Sequence, residues 1–69
     1  MKYVVVFEQT PENYSAYVPD LPGCVAAADT RDEVEQLIRE AIAMHIDGLR
    51  EDDEPIPEPK SWAELVEAS

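Results

Sequence analysis

Cys24 and His45 are the only side chains of their kinds in the 69-residue chain, and together they could supply a nucleophile and its base. A catalytic thiolate needs a nearby base and a positive environment that lowers the pKa of the thiol. His45, however, falls on the apolar stripe of a predicted helix, and free cysteine is among the most buried residue types. We therefore favour a packed cysteine and a packed or interface histidine over a reactive pair.

Metal and phosphate sites need several ligands or glycines at set spacings, and the sequence does not offer them. Neither C-x-x-C nor H-x-x-x-H occurs, and the two glycines, Gly23 and Gly48, cannot build a G-x-G-x-x-G turn or a P-loop. The many carboxylates fall mostly on predicted surface positions, where a solvated face is the ordinary interpretation. We expect no catalytic residue, no metal site and no cofactor.

The charge balance points to the kind of partner. Sixteen acidic residues against five basic ones give a formal net charge of −11. Such a chain repels nucleic acid phosphates and anionic lipid, so we expect no direct nucleic acid binding and no membrane association. It is instead steered toward basic partners, for which small basic proteins that bind RNA or DNA are the obvious class. The alternative, that the acidic residues only provide solubility, stays open.

The length and the N-terminus limit the class further. A chain of 69 residues forms one domain with a thin core, and such chains often gain stability by oligomerising. One cysteine cannot form an intramolecular disulfide. The N-terminal sequence MKYVVVFEQT reaches Glu8 after a short apolar run, and it resembles neither a signal peptide nor a membrane span. We expect a cytoplasmic protein.

Apolar and β-branched residues predict three strands before residue 30. The strands are Lys2–Gln9, Tyr14–Val18 and Cys24–Ala28. Residues 10–13 carry proline at the second position of a turn, as type I prefers, and residues 21–24 carry Pro-Gly at the centre of a type II turn. The first two strands are therefore predicted to form an antiparallel hairpin, and the third strand to join the same sheet.

A capping box, Thr30-Arg31-Asp32-Glu33, predicts the start of a long helix. Apolar residues follow at three- and four-residue spacing, which is typical of a helix that lies across one face of a sheet. They are Val34, Leu37, Ile38, Ala41, Ile42, His45, Ile46 and Leu49. Four acidic residues, Glu51 to Glu54, stand where the negative end of the helix dipole disfavours them, so the helix is predicted to end there.

Beyond the helix, the prolines of residues 55–59 predict an extended segment, either an edge strand or a linker. Ser61-Trp62-Ala63-Glu64 repeats the capping-box pattern and predicts a short C-terminal helix. The expected fold is α+β: a two-layer, βββαβ-like arrangement of an antiparallel three- to four-stranded sheet and one long helix. We divide the chain into a main domain, residues 1–59, and a short helical tail, residues 60–69.

One long helix covers only one face of such a sheet. The first strand nevertheless has apolar residues on both faces, and Val4 and Val6 lie on the face that the helix leaves open. We expect this face, or the tail with Trp62, to meet another chain. The sequence therefore predicts a homodimer or a higher homo-oligomer, with Val4, Val6 and Trp62 at the interface.

The order of these pieces closely resembles the HicB antitoxin family of type II toxin-antitoxin systems, over about residues 1–59. The matching marks are the aromatic-valine first strand, AYVPDLPGCVAAADT, EAIAMHIDGL and DDEPIPEP. The resemblance implies a partial ribonuclease H-like fold without its catalytic machinery. It also implies that the protein binds and blocks HicA, a small basic ribonuclease toxin.

Longer family members add a C-terminal DNA-binding domain, whereas ten residues follow Pro59 here. The resemblance thus implies a short form without that domain. Candidate toxin contacts are Asp20, in the loop before the third strand, and Glu54 and Glu58 around the proline segment. The alternative is a stand-alone small-molecule-binding or structural domain of the same fold with no toxin partner.

Overall fold

The computed structural model describes residues 1–69 and contains three strands and one long helix. In chain order they are β1 (Val6–Gln9), β2 (Tyr14–Tyr17), β3 (Val25–Ala28) and α1 (Arg31–Glu51). The strands form one antiparallel sheet in the order β1-β2-β3. Helix α1 packs across one face of this sheet, mainly over β3 and β2. The predicted two-layer α+β class is confirmed.

The hairpin between β1 and β2 closes through Thr10. Its backbone N–H donates to the carbonyl of Asn13 at 2.9 Å. Its hydroxyl oxygen accepts from the N–H of Asn13 at 3.0 Å, so a side chain takes the amide that a type I turn would bond to a backbone carbonyl. The pairing of Gln9 with Tyr14 then sets the register. The predicted antiparallel hairpin is confirmed.

The loop between β2 and β3 folds back into the core. The N–H of Val18 donates to the carbonyl of Cys24 at 3.1 Å, and the N–H of Cys24 donates to the carbonyl of Leu21 at 3.0 Å. Gly23 has a φ of 86°, which is the positive value that the third position of a type II turn requires. The predicted type II turn is therefore present, and the side chain of Leu21 is fully buried beneath it.

The core is small and lies between the helix and the sheet. Its buried members are all apolar: Ala16, Val18, Leu21, Cys24, Val34 and Ile38. The alanines of β3 and the half-buried Ile42 and Ile46 of α1 extend it. The predicted apolar stripe of the helix therefore faces the sheet, while Leu37, at 42 % exposure, lies at its margin.

Both ends of α1 have identifiable caps. The hydroxyl oxygen of Thr30 accepts from the N–H of Glu33 at 3.2 Å, and the hydroxyl donates to the Glu33 carboxylate at 2.9 Å. The capping box thus differs from the expected form, because Glu33 meets the hydroxyl of Thr30. At the other end, the N–H of Glu54 donates to the carbonyl of Leu49 at 2.8 Å. The helix ends among the four acidic residues, as predicted.

The fourth strand and the C-terminal helix are not found. Residues 55–59 form no ladder, because three of them are prolines without an N–H. Residues 60–69 contain no helix, and Trp62, Leu65 and Val66 are at least 78 % exposed. A helix this short is marginal in water unless its apolar face is covered, and no part of the chain covers it. The first strand is also shorter than predicted, since it begins at Val6.

Candidate interaction surfaces

The charged residues of the chain all lie at its surface, since no polar or charged residue is buried. A single loose ion pair joins Arg50 Nη1 to Asp47 Oδ1, at 3.9 Å, and both side chains are mostly exposed. A pair of this kind contributes little. The excess negative charge is therefore available to a basic partner.

Five exposed acidic residues gather where α1 ends; they are Glu51, Asp52, Asp53, Glu54 and Glu58, and we call them the acidic surface. The unpaired carbonyls at the end of a helix add negative potential there. The proline segment that carries Glu58 is held to the N-terminal segment, because the Tyr3 hydroxyl donates to the Pro57 carbonyl at 2.6 Å. The structure thus brings Glu54 and Glu58, two of the predicted contacts, into one surface region.

Asp20, the third predicted contact, lies in the β2–β3 loop and is engaged by its own chain. Its Oδ2 accepts from the backbone N–H groups of Lys60 and Ser61, at 3.0 and 2.9 Å. Its Oδ1 accepts from the Ser61 hydroxyl at 3.0 Å. The hydrogen bond from the Ser61 N–H, with smaller contributions from the Ser61 hydroxyl and from Lys60, lowers the pKa of Asp20 below its usual 3.8, against partial desolvation.

The sheet face opposite α1 is uncovered and apolar at one end. The register places Val6, Tyr17 and Val25 side by side across the three strands, on the face away from the helix, and we call them the apolar row. Tyr17 is 41 % and Val25 is 65 % exposed. Val4, two residues before Val6, is half-buried. The structure thus places Val6 on an open face, whereas Trp62 lies outside the fold.

The features that could have carried catalysis are arranged for packing. Cys24 is 3 % exposed, and desolvation raises the pKa of its thiol, which disfavours the thiolate. His45 is a half-buried residue of α1. The His, Cys, Asp and Glu side chains form no group of three or more that could hold a metal ion. No helix combines the length and the apolar character that crossing a membrane needs.

Two features of these surfaces were not predicted from the sequence. The period-two pattern of β2, with Tyr14 and Ala16 facing the core, could have placed Tyr17 on the open face, and the same reasoning applies to Val25. The attachment of Ser61 to Asp20 has no local signal, because 41 residues separate the two in the chain.

The fold and these surfaces define a small acidic α+β interaction domain, with an acidic region at the end of its helix and an open apolar sheet face. A family model described as "HicB_like antitoxin of bacterial toxin-antitoxin system" matches residues 3–69. The chain belongs to this HicB-like antitoxin family, which is a family of antitoxins and not of enzymes.

Individual relatives agree with this assignment. The chain is 44 % identical over 57 residues to a 14.9 kDa protein of Haemophilus phage HP1, covering 83 % of this chain and 43 % of the phage protein. It is 31 % identical over 64 residues to Antitoxin HicB 2 of Photorhabdus laumondii, covering 93 % and 46 % of the two chains. The chain thus spans less than half the length of these two relatives.

A solved structure is also similar. It is described as a HicA3 and HicB3 toxin-antitoxin complex, and a chain of it matches with a TM-score of 0.71 and 33 % sequence identity. The match covers 86 % of this chain and 70 % of that chain. A toxin-antitoxin role is therefore supported for the family fold described above.

Proposed function

We propose that this chain binds a small basic ribonuclease toxin of the HicA type and neutralises it. The observation that carries the proposal is the similarity, at 33 % identity, to a chain of a HicA3 and HicB3 complex. The family assignment over residues 3–69 supports the same role. Catalysis has no part in the proposal, since the chain acts by occupying a surface of its partner.

Electrostatics supports this kind of partner. A ribonuclease needs a positive face to hold the phosphates of RNA. An acidic protein that covers this face pairs with the same lysine and arginine side chains, so RNA and antitoxin compete for them. The net charge of −11 also steers the two proteins together over several ångströms, an effect that salt screens. Neutralisation by charge and shape is thus consistent with the composition.

The acidic surface is the proposed toxin contact, with Glu54 and Glu58 at its centre. Both residues are exposed and on neighbouring parts of the chain, and the Tyr3–Pro57 hydrogen bond fixes the segment that carries Glu58. Asp20 remains a candidate contact beside the C-terminal residues, although its two oxygens already accept three hydrogen bonds from Lys60 and Ser61. Fixed acidic groups lose less conformational entropy on binding than mobile ones do.

We further propose that the working form is a homodimer in the cytoplasm. The thin core of six buried residues and the open apolar face both favour association with a second copy. The cytoplasmic location follows from the proposed partner, because a ribonuclease toxin acts where RNA is found.

The test uses the small basic protein encoded beside this chain. We expect co-expression to restore growth and the two purified proteins to form a complex that weakens as salt is raised. The double variant Glu54→Lys/Glu58→Lys should bind at least about tenfold more weakly, because it reverses two charges at the contact. The matched control is Glu12→Lys/Glu40→Lys, which changes the net charge equally at exposed positions outside the acidic surface.

The control separates a specific contact from general acidity. If both double variants weaken binding equally, net charge acts alone and the acidic surface is not the contact. If the wild-type chain forms no complex and restores no growth, the antitoxin proposal fails. A genome neighbourhood without a small basic protein would then favour the stand-alone domain.

A further inference from the structure

Two unpartnered apolar features meet at the same end of the sheet. Tyr17 and Val25 form the last cross-strand pair before the β2–β3 loop, so the apolar row borders this loop. Asp20 in the same loop holds Ser61 by hydrogen bonds to its amide and its hydroxyl. Trp62 is the next residue, about 3.8 Å further from Cα to Cα. The exposed C-terminal residues therefore leave the fold beside the apolar row.

We propose that a second copy of this chain covers the apolar row, and that Trp62, Leu65 and Val66 of each copy pack on the row of the other. The inference rests on the homodimer proposed above and assigns it a surface. The exchange is reciprocal, as a two-fold symmetric interface requires, since each copy supplies one row and one C-terminal segment.

Charge favours a second copy as the occupant. The apolar row has no charged member, and Glu8 is the only charged residue among the outward-facing strand residues. Two chains that each carry −11 repel one another over most of their surface, and a nearly neutral face is where such copies can meet. A basic toxin, in contrast, gains most from the acidic surface at the end of α1. The two partners are thus assigned to different surfaces.

The available area requires the C-terminal segment as well as the sheet. Three strands of four residues cover only roughly 200 Å², from a strand spacing of about 4.8 Å and a rise of about 3.4 Å per residue. A standard interface buries about 800 Å² on each partner. A tryptophan side chain alone buries roughly 150–250 Å². Trp62, Leu65 and Val66 are 78 %, 106 % and 80 % exposed, so their burial on the partner supplies area that the row lacks.

Docking also explains the conflict between the sequence pattern and the structure after residue 60. Trp62, Leu65 and Val66 are spaced by three and four residues, which places them on one face of a helix. A helix this short is marginal alone and gains its stability from packing. We therefore expect the C-terminal segment to become helical when it docks on a partner, so that the helix content rises with dimerisation.

The experiment uses Trp62 as the reporter, because it is the only tryptophan. Sedimentation and tryptophan emission are measured across a dilution series for the wild type, Val25→Lys, Trp62→Ala and the control Met44→Lys. Val25 and Met44 are 65 % and 74 % exposed, so both lysines are tolerated by the fold, and Met44 belongs to α1 on the opposite layer. Far-ultraviolet circular dichroism follows the helix content of each sample.

We expect the wild type and Met44→Lys to dimerise with a blue-shifted, quencher-protected tryptophan that becomes exposed on dilution. Val25→Lys and Trp62→Ala should each dimerise at least about tenfold more weakly, a loss of about 1.4 kcal/mol. A wild type that stays monomeric at about 100 μM, or a Val25→Lys dimer with Trp62 still protected, overturns the proposal. Toxin binding by Val25→Lys is measured separately and should be unchanged, so the antitoxin proposal stands or fails independently.

Discussion

The carboxylate of Asp20 grips Ser61 at two points. Oδ2 accepts from the Ser61 backbone N–H at 2.9 Å, and Oδ1 accepts from the Ser61 hydroxyl at 3.0 Å. The neighbouring N–H of Lys60 donates to the same Oδ2 at 3.0 Å. These bonds attach the last part of the chain to the β2–β3 loop. They also determine where Trp62 leaves the fold.

Replacing Asp20 should release this attachment. In Asp20→Ala the N–H groups of Lys60 and Ser61 lose their acceptor, and we expect their hydrogen exchange to accelerate at least about tenfold, while amides in the middle of α1 stay protected. The matched control is Asp29→Ala, which removes an exposed carboxylate from the other end of β3. Equal exchange at Ser61 in both variants would show that the Asp20 bonds do not hold the segment.

The same attachment should depend on pH in a defined direction. The hydrogen bond from Ser61 lowers the pKa of Asp20 from its usual 3.8, so the charged form is the one that the attached state favours. The contribution is therefore fully present above pH 3.8 and is lost as the pH falls through the lowered value. We expect the amide signal of Ser61 to shift below pH 3.8 in the wild type. In Asp20→Asn, which has no charge to lose, that step should be missing.

Leu21 should contribute more to stability than its place in a loop suggests. Its side chain is 0 % exposed, and truncation of a buried leucine to alanine costs about 2–5 kcal/mol. That is a large share of the stability of so small a domain. We expect Leu21→Ala to shift the urea midpoint strongly downward or to unfold the chain. The control Leu37→Ala, at a position 42 % exposed, should cost less than about half as much.

The parts of the fold that could be predicted are those with local causes. The helix begins at a Thr30 cap and ends among acidic residues, and the type II turn depends on Gly23, so a few neighbouring residues suffice for each. The C-terminal helix was predicted from the same local signals, yet it is missing, because no surface covers Trp62. The contacts of Asp20 with Ser61 and of Tyr3 with Pro57 join residues 41 and 54 positions apart, and no local pattern encodes them.

Cys24 should behave as a packed side chain and not as a nucleophile. It is 3 % exposed, and desolvation raises the pKa of its thiol, so both access and thiolate content are low in the native protein. We expect alkylation by iodoacetamide near neutral pH to be at least about a hundredfold slower in the native chain than in urea. The denatured sample is the control for intrinsic reactivity. Labelling at similar rates in both states would contradict the packing interpretation.

Asp53 stands where helices commonly place glycine. Its φ is 56°, in the left-handed region, and its N–H donates to the carbonyl of Arg50 at 3.2 Å while that of Glu54 reaches Leu49 at 2.8 Å. These two bonds form the Schellman motif, whose left-handed residue is usually glycine. A residue with a Cβ is strained there by roughly 1–2 kcal/mol, and a carboxylate at the negative end of the helix adds to the cost.

Asp53→Gly should therefore stabilise the chain, even though glycine also makes the unfolded chain more flexible by about 0.4–1 kcal/mol. We expect a net gain of about 0.5–1 kcal/mol, read from the urea midpoint at constant slope. Asp52→Gly is the matched control, because it removes an adjacent carboxylate at a residue whose φ is −88°. With no left-handed strain to relieve, it should be neutral or destabilising. If both variants gain equally, charge at the helix end is the cause and the backbone conformation of Asp53 is not.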